Sequence, residues 1–234
     1  MNVFITGDTH GEFSHIVWYA KKNKTTVDDI MIVLGDAGLN YFLDIRDIRK
    51  KTDVSKIPLT FFCIHGNHEE RPYNIEGYKT KEFHEGIVYY EEEYPNILFA
   101  KDGEIYDFNG YKCLVAGGAY SVDKSYRLKN SWHWFESEQP TQEIKETVNN
   151  AIANNRVDVI LSHTCPFSKE PVESFLPMID QSTVDVSTEK WLDDIYNKYG
   201  DKIIRWYCGH FHIEKNDRNV RFMFNNISLF NPKE

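Results

Sequence analysis

The chain has 234 residues, 36 acidic against 27 basic, a net charge of −9 and an aromatic share of 15%. A domain of that size buries roughly 70–75% of its extended surface, so residues 1–234 can form one domain without a disulfide or zinc staple. The acidic balance argues against a nucleic-acid glove, and no apolar run approaches the ~18 residues of a membrane span.

The first predicted strand lies in "NVFITGDTHG" (2–11), an apolar run closed by a polar, glycine-containing turn. Because it begins at once, it leaves no room for a signal peptide, and a cytoplasmic protein is expected. Phe13, Ile16, Val17 and Ala20 then form one helical stripe over 12–22. "DIMIVLGDAG" (29–38) and "LTFFCIHGNHE" (59–69) repeat the strand-and-turn plan, and "YYEEEY" (89–94) reads as a solvated face. "NILFA", "GEIYDF" and "YKCLVAGGAY" follow without helices between them, and Asn109-Gly110 marks a hairpin. With the late "VRFMFNNISLF", these runs are expected to meander into a second sheet behind the first.

A second helix is predicted over 141–154 on the stripe Ile144, Val148, Ala151 and Ile152, capped by Thr141. "VDVILSHTCP" (157–166) is again strand and turn. The helix over 187–199 carries Trp191, Leu192, Ile195, Tyr196 and Tyr199, with Ser187 as cap and Gly200 as stop. "IIRWYCGHFH" (203–212) is the fifth run of the common plan. Continuous β-branched and aromatic runs suit strands buried on both faces, and their alternation with helices and hairpins implies a mixed α/β sandwich. Cys63, Cys113, Cys165 and Cys208 include no C-x-x-C pair and each sits in or beside an apolar run, so they read as buried thiols.

In open α/β sheets ligands gather beyond the carboxyl ends of strands. The five runs deliver Asp8 and His10, Asp36, Asn67 and His68, His163, and His210 and His212 to such ends. Alternation along an extended chain would aim His210 and His212 at one point. Each turn alone also reads as an ordinary turn, with Asp8 as a helix cap, but five in a row do not. His15, His84 and His133 fall outside the set as surface or structural residues, and His65 is ambiguous. Nitrogen and oxygen donors without thiolate favour Mn, Fe, Zn, Co or Ni over Ca or Mg. The candidates Asp8, His10, Asp36, Asn67, His163, His210 and His212 exceed the needs of one tetrahedral ion, so two divalent ions sharing a carboxylate are expected, Mn first among them. Two such ions would bring the charge from −9 to about −5.

In this order the turns GDTHG, GDAG, GNHE, LSH and GHFH resemble the signature blocks of the calcineurin-like metallophosphoesterase superfamily, across residues 7 to 212. "GGAYSVDKSYR" is similar to a bacterial and phage subgroup. The resemblance implies an α/β fold, a four-layer sandwich of two mixed β-sheets flanked by helices, with a dinuclear metal site at the strand ends. It implies Asp8, His10 and His212 on one ion, Asn67, His163 and His210 on the other, and Asp36 bridging. It further implies a metal-bridging hydroxide attacking phosphorus and His68 serving the leaving alkoxide as general acid. Two departures stand out: "GDAGLN" lacks the extension of the second block found in protein phosphatases, with Leu39 in place of the aspartate that orients the catalytic histidine, and His65 rather than an arginine precedes Gly66.

Arg71, Tyr120, Lys124 and Arg127 are the expected substrate-binding residues, with Trp132 and Trp134 either stacking a base or packing their loop. The reading is a metal-dependent hydrolase of phosphate mono- or diesters, a nucleotide or other small phosphoester being the partner. Its alternatives are a serine/threonine protein phosphatase, which the departures oppose, and a non-catalytic interaction scaffold. Nucleic acid is disfavoured, no membrane is expected, and the oligomeric state is open.

Overall fold

The computed structural model describes residues 1–234. Its first sheet takes β1 (Val3–Thr6), β2 (Ile30–Val33), β3 (Thr60–Cys63), β4 (Lys79–Phe83), β5 (Gly86–Tyr90), β6 (Ile97–Ala100) and β13 (Ser228–Leu229), in the order β13-β1-β2-β3-β6-β5-β4. The second takes β7 (Ile105–Phe108), β8 (Tyr111–Ala116), β9 (Val159–Ser162), β10 (Arg205–Cys208), β11 (Lys215–Asp217) and β12 (Val220–Phe222), in the order β11-β12-β10-β9-β8-β7. Both are mixed: β1, β2, β3 and β6 run parallel, as do β8, β9, β10 and β12, with antiparallel strands at the edges.

Period-two alternation sorts each strand between two cores. Val3, Ile5, Ile32, Phe62, Val115, Val159, Leu161 and Tyr207 face the space between the sheets. Phe4, Met31, Val33 and Phe61 face outward onto Ile16 and Ala20 of α1 (Ser14–Asn23) and Val54 of α2 (Ile45–Val54). Leu114, Ile160 and Trp206 face outward onto Val148 and Ile152 of α4 (Gln142–Asn154) and Trp191, Leu192 and Ile195 of α5 (Ser187–Tyr199). The result is the four-layer sandwich of helices, sheet, sheet and helices. Strands buried on both faces have no polar side, which is why they read as continuous apolar runs.

Several local expectations hold. The β7–β8 hairpin closes through Asn109 and Gly110, both at positive φ, with Phe108 opposite Tyr111. The Thr141 hydroxyl accepts from Ile144 N at 3.3 Å, and all four cysteines are buried and free. No helix is long and apolar enough to cross a membrane.

Others are corrected. "NILFA" becomes β6 of the first sheet, pairing in parallel with β3, and the last run divides between β12 and β13 in different sheets. The fourth and fifth runs, β9 and β10, form the middle of the second sheet. Val17 is exposed rather than part of the buried stripe. Ser187 begins α5 rather than capping it; the N-cap is Val186, which makes no side-chain bond, and Asp185 just before it accepts from Ser187 N at 2.9 Å. Glu91 of the acidic run pairs with buried Lys51 at 2.5 Å. Two helices were not anticipated, α2 and the short α3 (Lys124–Lys129). In α2 Ile45 and Ile48 face solvent while Asp47 and Lys51 are buried, so it carries no apolar stripe to read. Its start is set instead by Asp44, which accepts from Arg46 N at 2.8 Å.

Phe62 marks the centre of the inter-sheet core, fully buried with ring centroids 4.7 Å from Tyr106 and 5.1 Å from Phe108. Phe62→Ala is expected to cost about 3–5 kcal/mol through the cavity it leaves. Urea unfolding of both proteins in chelator, so that metal linkage does not enter, measures it.

Candidate metal centre

The carboxyl ends of β1, β2 and β3 from one sheet and β9 and β10 from the other open onto one cleft. The turns that follow are tight. His10, Asp36, His210 and His212, four of the seven candidate ligands, have φ between 46° and 67°, a region that side chains adopt rarely and at a cost. Glycines make room for them: a Cβ on Gly66 would lie 2.0 Å from Asp36 Oδ1, and one on Gly209 would lie 2.1 Å from Asp8 Oδ1. Asp8 does not cap α1; its two carboxylate oxygens accept from His210 N at 3.1 and 3.0 Å, tying the two sheets together.

The seven side chains form two groups around a shared carboxylate. In the first, His10 Nε2 lies 2.9 Å from His212 Nε2, which is 3.2 Å from Asp8 Oδ2. In the second, Asn67 Oδ1 lies 2.7 Å from His163 Nε2 and 2.9 Å from His210 Nδ1. Asp36 stands between them, its Oδ2 3.8 Å from His10 Nε2 and 3.6 Å from His163 Nε2. Asp8, Asp36 and His163 also bring ligand atoms within 4.8 Å of one another. His210 and His212 thus serve neighbouring points rather than one. Their strand ends at Cys208, and with both residues left-handed the alternation that would have aligned them is lost.

Whether these groups suit a cation is decided by their protons. His163 Nδ1 lies 2.8 Å from the Leu34 carbonyl and must donate to it, which leaves a lone pair on neutral Nε2. Asn67 Nδ2 donates to Ser121 Oγ at 2.8 Å, so the amide presents its oxygen to His163 and His210. In the neutral ring a bare imidazole nitrogen faces a carbonyl oxygen at 2.7 Å, two acceptors that only a proton or a cation can bridge. A cation resolves that repulsion, and the donor set of imidazole, amide and carboxylate fits a first-row divalent ion. Burial holds His210 well below the usual imidazole range, which disfavours its protonated form. Although burial opposes it, His163, His68 and His10 hold the Asp36 carboxyl below its ordinary value. The hydrogen bond to Asp8 raises His212.

His68 sits on the rim, its backbone N–H donating to Asp36 Oδ1 at 2.8 Å. Its orienting partner is Arg127, whose NH1 lies 3.0 Å from His68 Nδ1. A guanidinium only donates, so Nδ1 accepts and the imidazole proton resides on Nε2. Arg127 is itself buried, with NH2 2.5 Å from Glu138 Oε1 and 3.2 Å from Ser121 Oγ. Ser121 donates to Glu138 Oε2 at 2.5 Å. Burial lifts Glu138 to about 7 against the pull of Ser121 and Arg127. Burial, with the Asp36 charge, pushes Glu69 to about 8; this residue holds the GNHE turn by accepting from Gly66 N at 2.9 Å.

Of the expected substrate residues, Tyr120 lines the cleft. Arg71 does not reach it; buried, it pairs with Asp102 and donates to the Ser137 carbonyl at 2.8 Å. Lys124 lies 3.8 Å over the Trp134 ring, and Trp132 packs on Tyr126. His65 points away from the ligands toward the Ser137 carbonyl, 3.2 Å away, and burial keeps it well below the usual range. Ser121 and Glu138 were missed because neither belongs to a strand end. The nearest signal was the "GGAYSVDKSYR" segment itself, which carries Ser121 and Arg127.

The description calcineurin-like phosphoesterase belongs to the family model that matches residues 1–214. Among solved structures, a crystal structure of TT1561 from Thermus thermophilus aligns with a TM-score of 0.51 and 12% identity, over 95% of this chain and 87% of that one. Another crystal structure aligns with the same TM-score and identity over 95% of this chain and 89% of its own. At that identity the likeness concerns the fold. No curated protein matches the sequence.

Gly66→Ala is expected to retain the secondary structure in circular dichroism while weakening metal binding at least tenfold, because its methyl group would displace Asp36. Titration calorimetry with Mn²⁺ on both proteins checks it.

Proposed function

Since this chain belongs to the calcineurin-like phosphoesterase family, we propose that it hydrolyses a small phosphate ester at the cleft where the two ligand groups meet. The observation that carries the reading is Asp36 Oδ2, within 4 Å of an imidazole nitrogen from each group. Asp8, His10 and His212 would hold one divalent ion, Asn67, His163 and His210 a second, and Asp36 both. Such a pair polarises phosphoryl oxygens and makes water nucleophilic near neutral pH.

The chain's own residues supply orientation and a hydrogen bond. The Leu34 carbonyl keeps His163 in the tautomer that can ligate, and Ser121 turns the Asn67 amide to present its oxygen. Arg127 holds the His68 proton on Nε2, the nitrogen left free to face a substrate oxygen, and that N–H donates a hydrogen bond to the departing alkoxide, stabilising its charge while the ring stays neutral and solvent supplies the proton. Arg127 thereby fills the orienting place that Leu39 leaves vacant, with the opposite polarity: a carboxylate would demand the proton on Nδ1.

With Mn²⁺ the purified protein is expected to hydrolyse a generic aryl phosphoester, and Asp36→Asn or His163→Ala to abolish turnover and lower metal content. Robust hydrolysis by metal-free Asp36→Asn protein is the result that would overturn the proposal. Activity is expected to fall below about pH 6, as ligand imidazoles take up protons and release metal. For the donor role the leaving group is the discriminating variable. His68→Ala should lower kcat about 10²-fold or more for an alkyl ester, and much less for a nitrophenyl ester whose alcohol departs without a proton. Equal losses for both esters would remove His68 from that role.

A further inference from the structure

The cleft beside the ligand groups has a volume of about 400 Å³ and is lined by no lysine or arginine. Its apolar wall is built from Val122, Phe175, Leu176, Val184 and Phe211, and Asp123, Glu170, Asp185 and Glu189 also face it. The basic residues nearest in the sequence are committed elsewhere. Arg127 turns its guanidinium to His68, Glu138, Ser121 and Asp123, the last at 3.3 Å. Lys124 stacks on Trp134, Lys169 lies 3.1 Å from Asp217, exposed Lys190 lies 5.6 Å over the Phe167 ring, and Lys215 pairs with Glu173.

This balance selects substrates by charge. Bound cations can compensate the reacting phosphoryl group, but no lysine or arginine lines the cleft to compensate a second anionic group. A further phosphate or carboxylate would sit beside Asp123 and Asp185, and near Glu170 and Glu189, which burial pushes up to about 7, in surroundings that apolar side chains make less screening than water. A phosphodiester carries one negative charge where a monoester carries close to two at neutral pH. The alcohol that fills the remaining space meets Phe175, Phe211 and aliphatic side chains, which reward apolar surface.

Resting on the phosphoesterase reading above, we propose that the cleft takes phosphodiesters of a single negative charge, whose apolar alcohol carries no further anion. Among such alcohols, one bearing a cation is held best, because Glu170 and Asp185 face it.

The test uses the Mn²⁺-loaded full chain and four esters that share 4-nitrophenol as leaving group. Two differ only by a remote phosphate: thymidine 5′-(4-nitrophenyl phosphate) and its 3′-phosphorylated derivative. The others are 4-nitrophenylphosphorylcholine and 4-nitrophenyl phosphate. The remote phosphate is expected to lower kcat/KM at least tenfold, and the choline ester to exceed the monoester at least tenfold. Reversing cleft charge in the Glu170→Lys/Asp185→Lys double variant should shrink both ratios at least fivefold. Equal or faster turnover of the monoester and the 3′-phosphorylated compound would overturn the inference, as would unchanged ratios in the variant. Calorimetric binding of the four corresponding 4-nitrobenzylphosphonates, in which a methylene replaces the scissile oxygen, to the Mn²⁺-loaded protein provides a readout that needs no turnover. The same ranking there supports the inference even where no ester is cleaved, an outcome that would count against the hydrolytic reading alone; the opposite ranking overturns the inference.

Discussion

The close approach of Asn67 Oδ1 and His163 Nε2, 2.7 Å apart and in need of a proton or a cation between them, sets the terms for the rest of the molecule. Such a contact persists because each partner is held from behind, the imidazole by the Leu34 carbonyl and the amide by Ser121. Those supports come from different layers: Leu34 follows β2 of the first sheet, while Ser121 follows β8 of the second. The sandwich must therefore close before the site exists, and the Asp8 carboxylate on the His210 N–H is one of the bonds that closes it at that edge.

Crowding donors so closely has a backbone cost. His10, Asp36, His210 and His212 are all left-handed, and Gly66 and Gly209 give up side chains so that Asp36 and Asp8 can approach. Strain of this kind persists where surrounding structure over-determines it. Here the surroundings are the three cores, whose strands present bulky side chains on both faces and leave little freedom at their ends.

Behind the ligands runs a buried polar network from Asn67 through Ser121 and Glu138 to Arg127 and His68. It joins a candidate ligand of one metal to the candidate hydrogen-bond donor, so the orientation of both depends on one segment, residues 121–138. A permanently charged guanidinium in that network leaves no doubt about the His68 tautomer, since Nδ1 can only accept. The same network consumes the cation that would otherwise have met substrate. On the proposed reading, reactivity and specificity would be coupled at Arg127.

Much of this was legible in the amino-acid order. Strand-and-turn runs, buried on both faces, announced a layered α/β fold, and glycine beside Asp, Asn or His marked the strand ends that carry the donors. What the chain could not announce was partnership. Strands apolar throughout look alike whichever sheet they join, so β6 and β13 were assignable only once their neighbours were known. A polar helix such as α2 shows no stripe because the side chains it buries are Asp47, which accepts from the Phe42 N–H, and Lys51, which pairs with Glu91 from a distant segment. Residue types and local spacing, which depend on near neighbours, determined the ligand inventory. Tertiary packing alone decided that His210 and His212 diverge, that Arg71 is buried away from the cleft, and that Arg127 turns to His68, because direction in space is set by contacts between residues far apart along the chain.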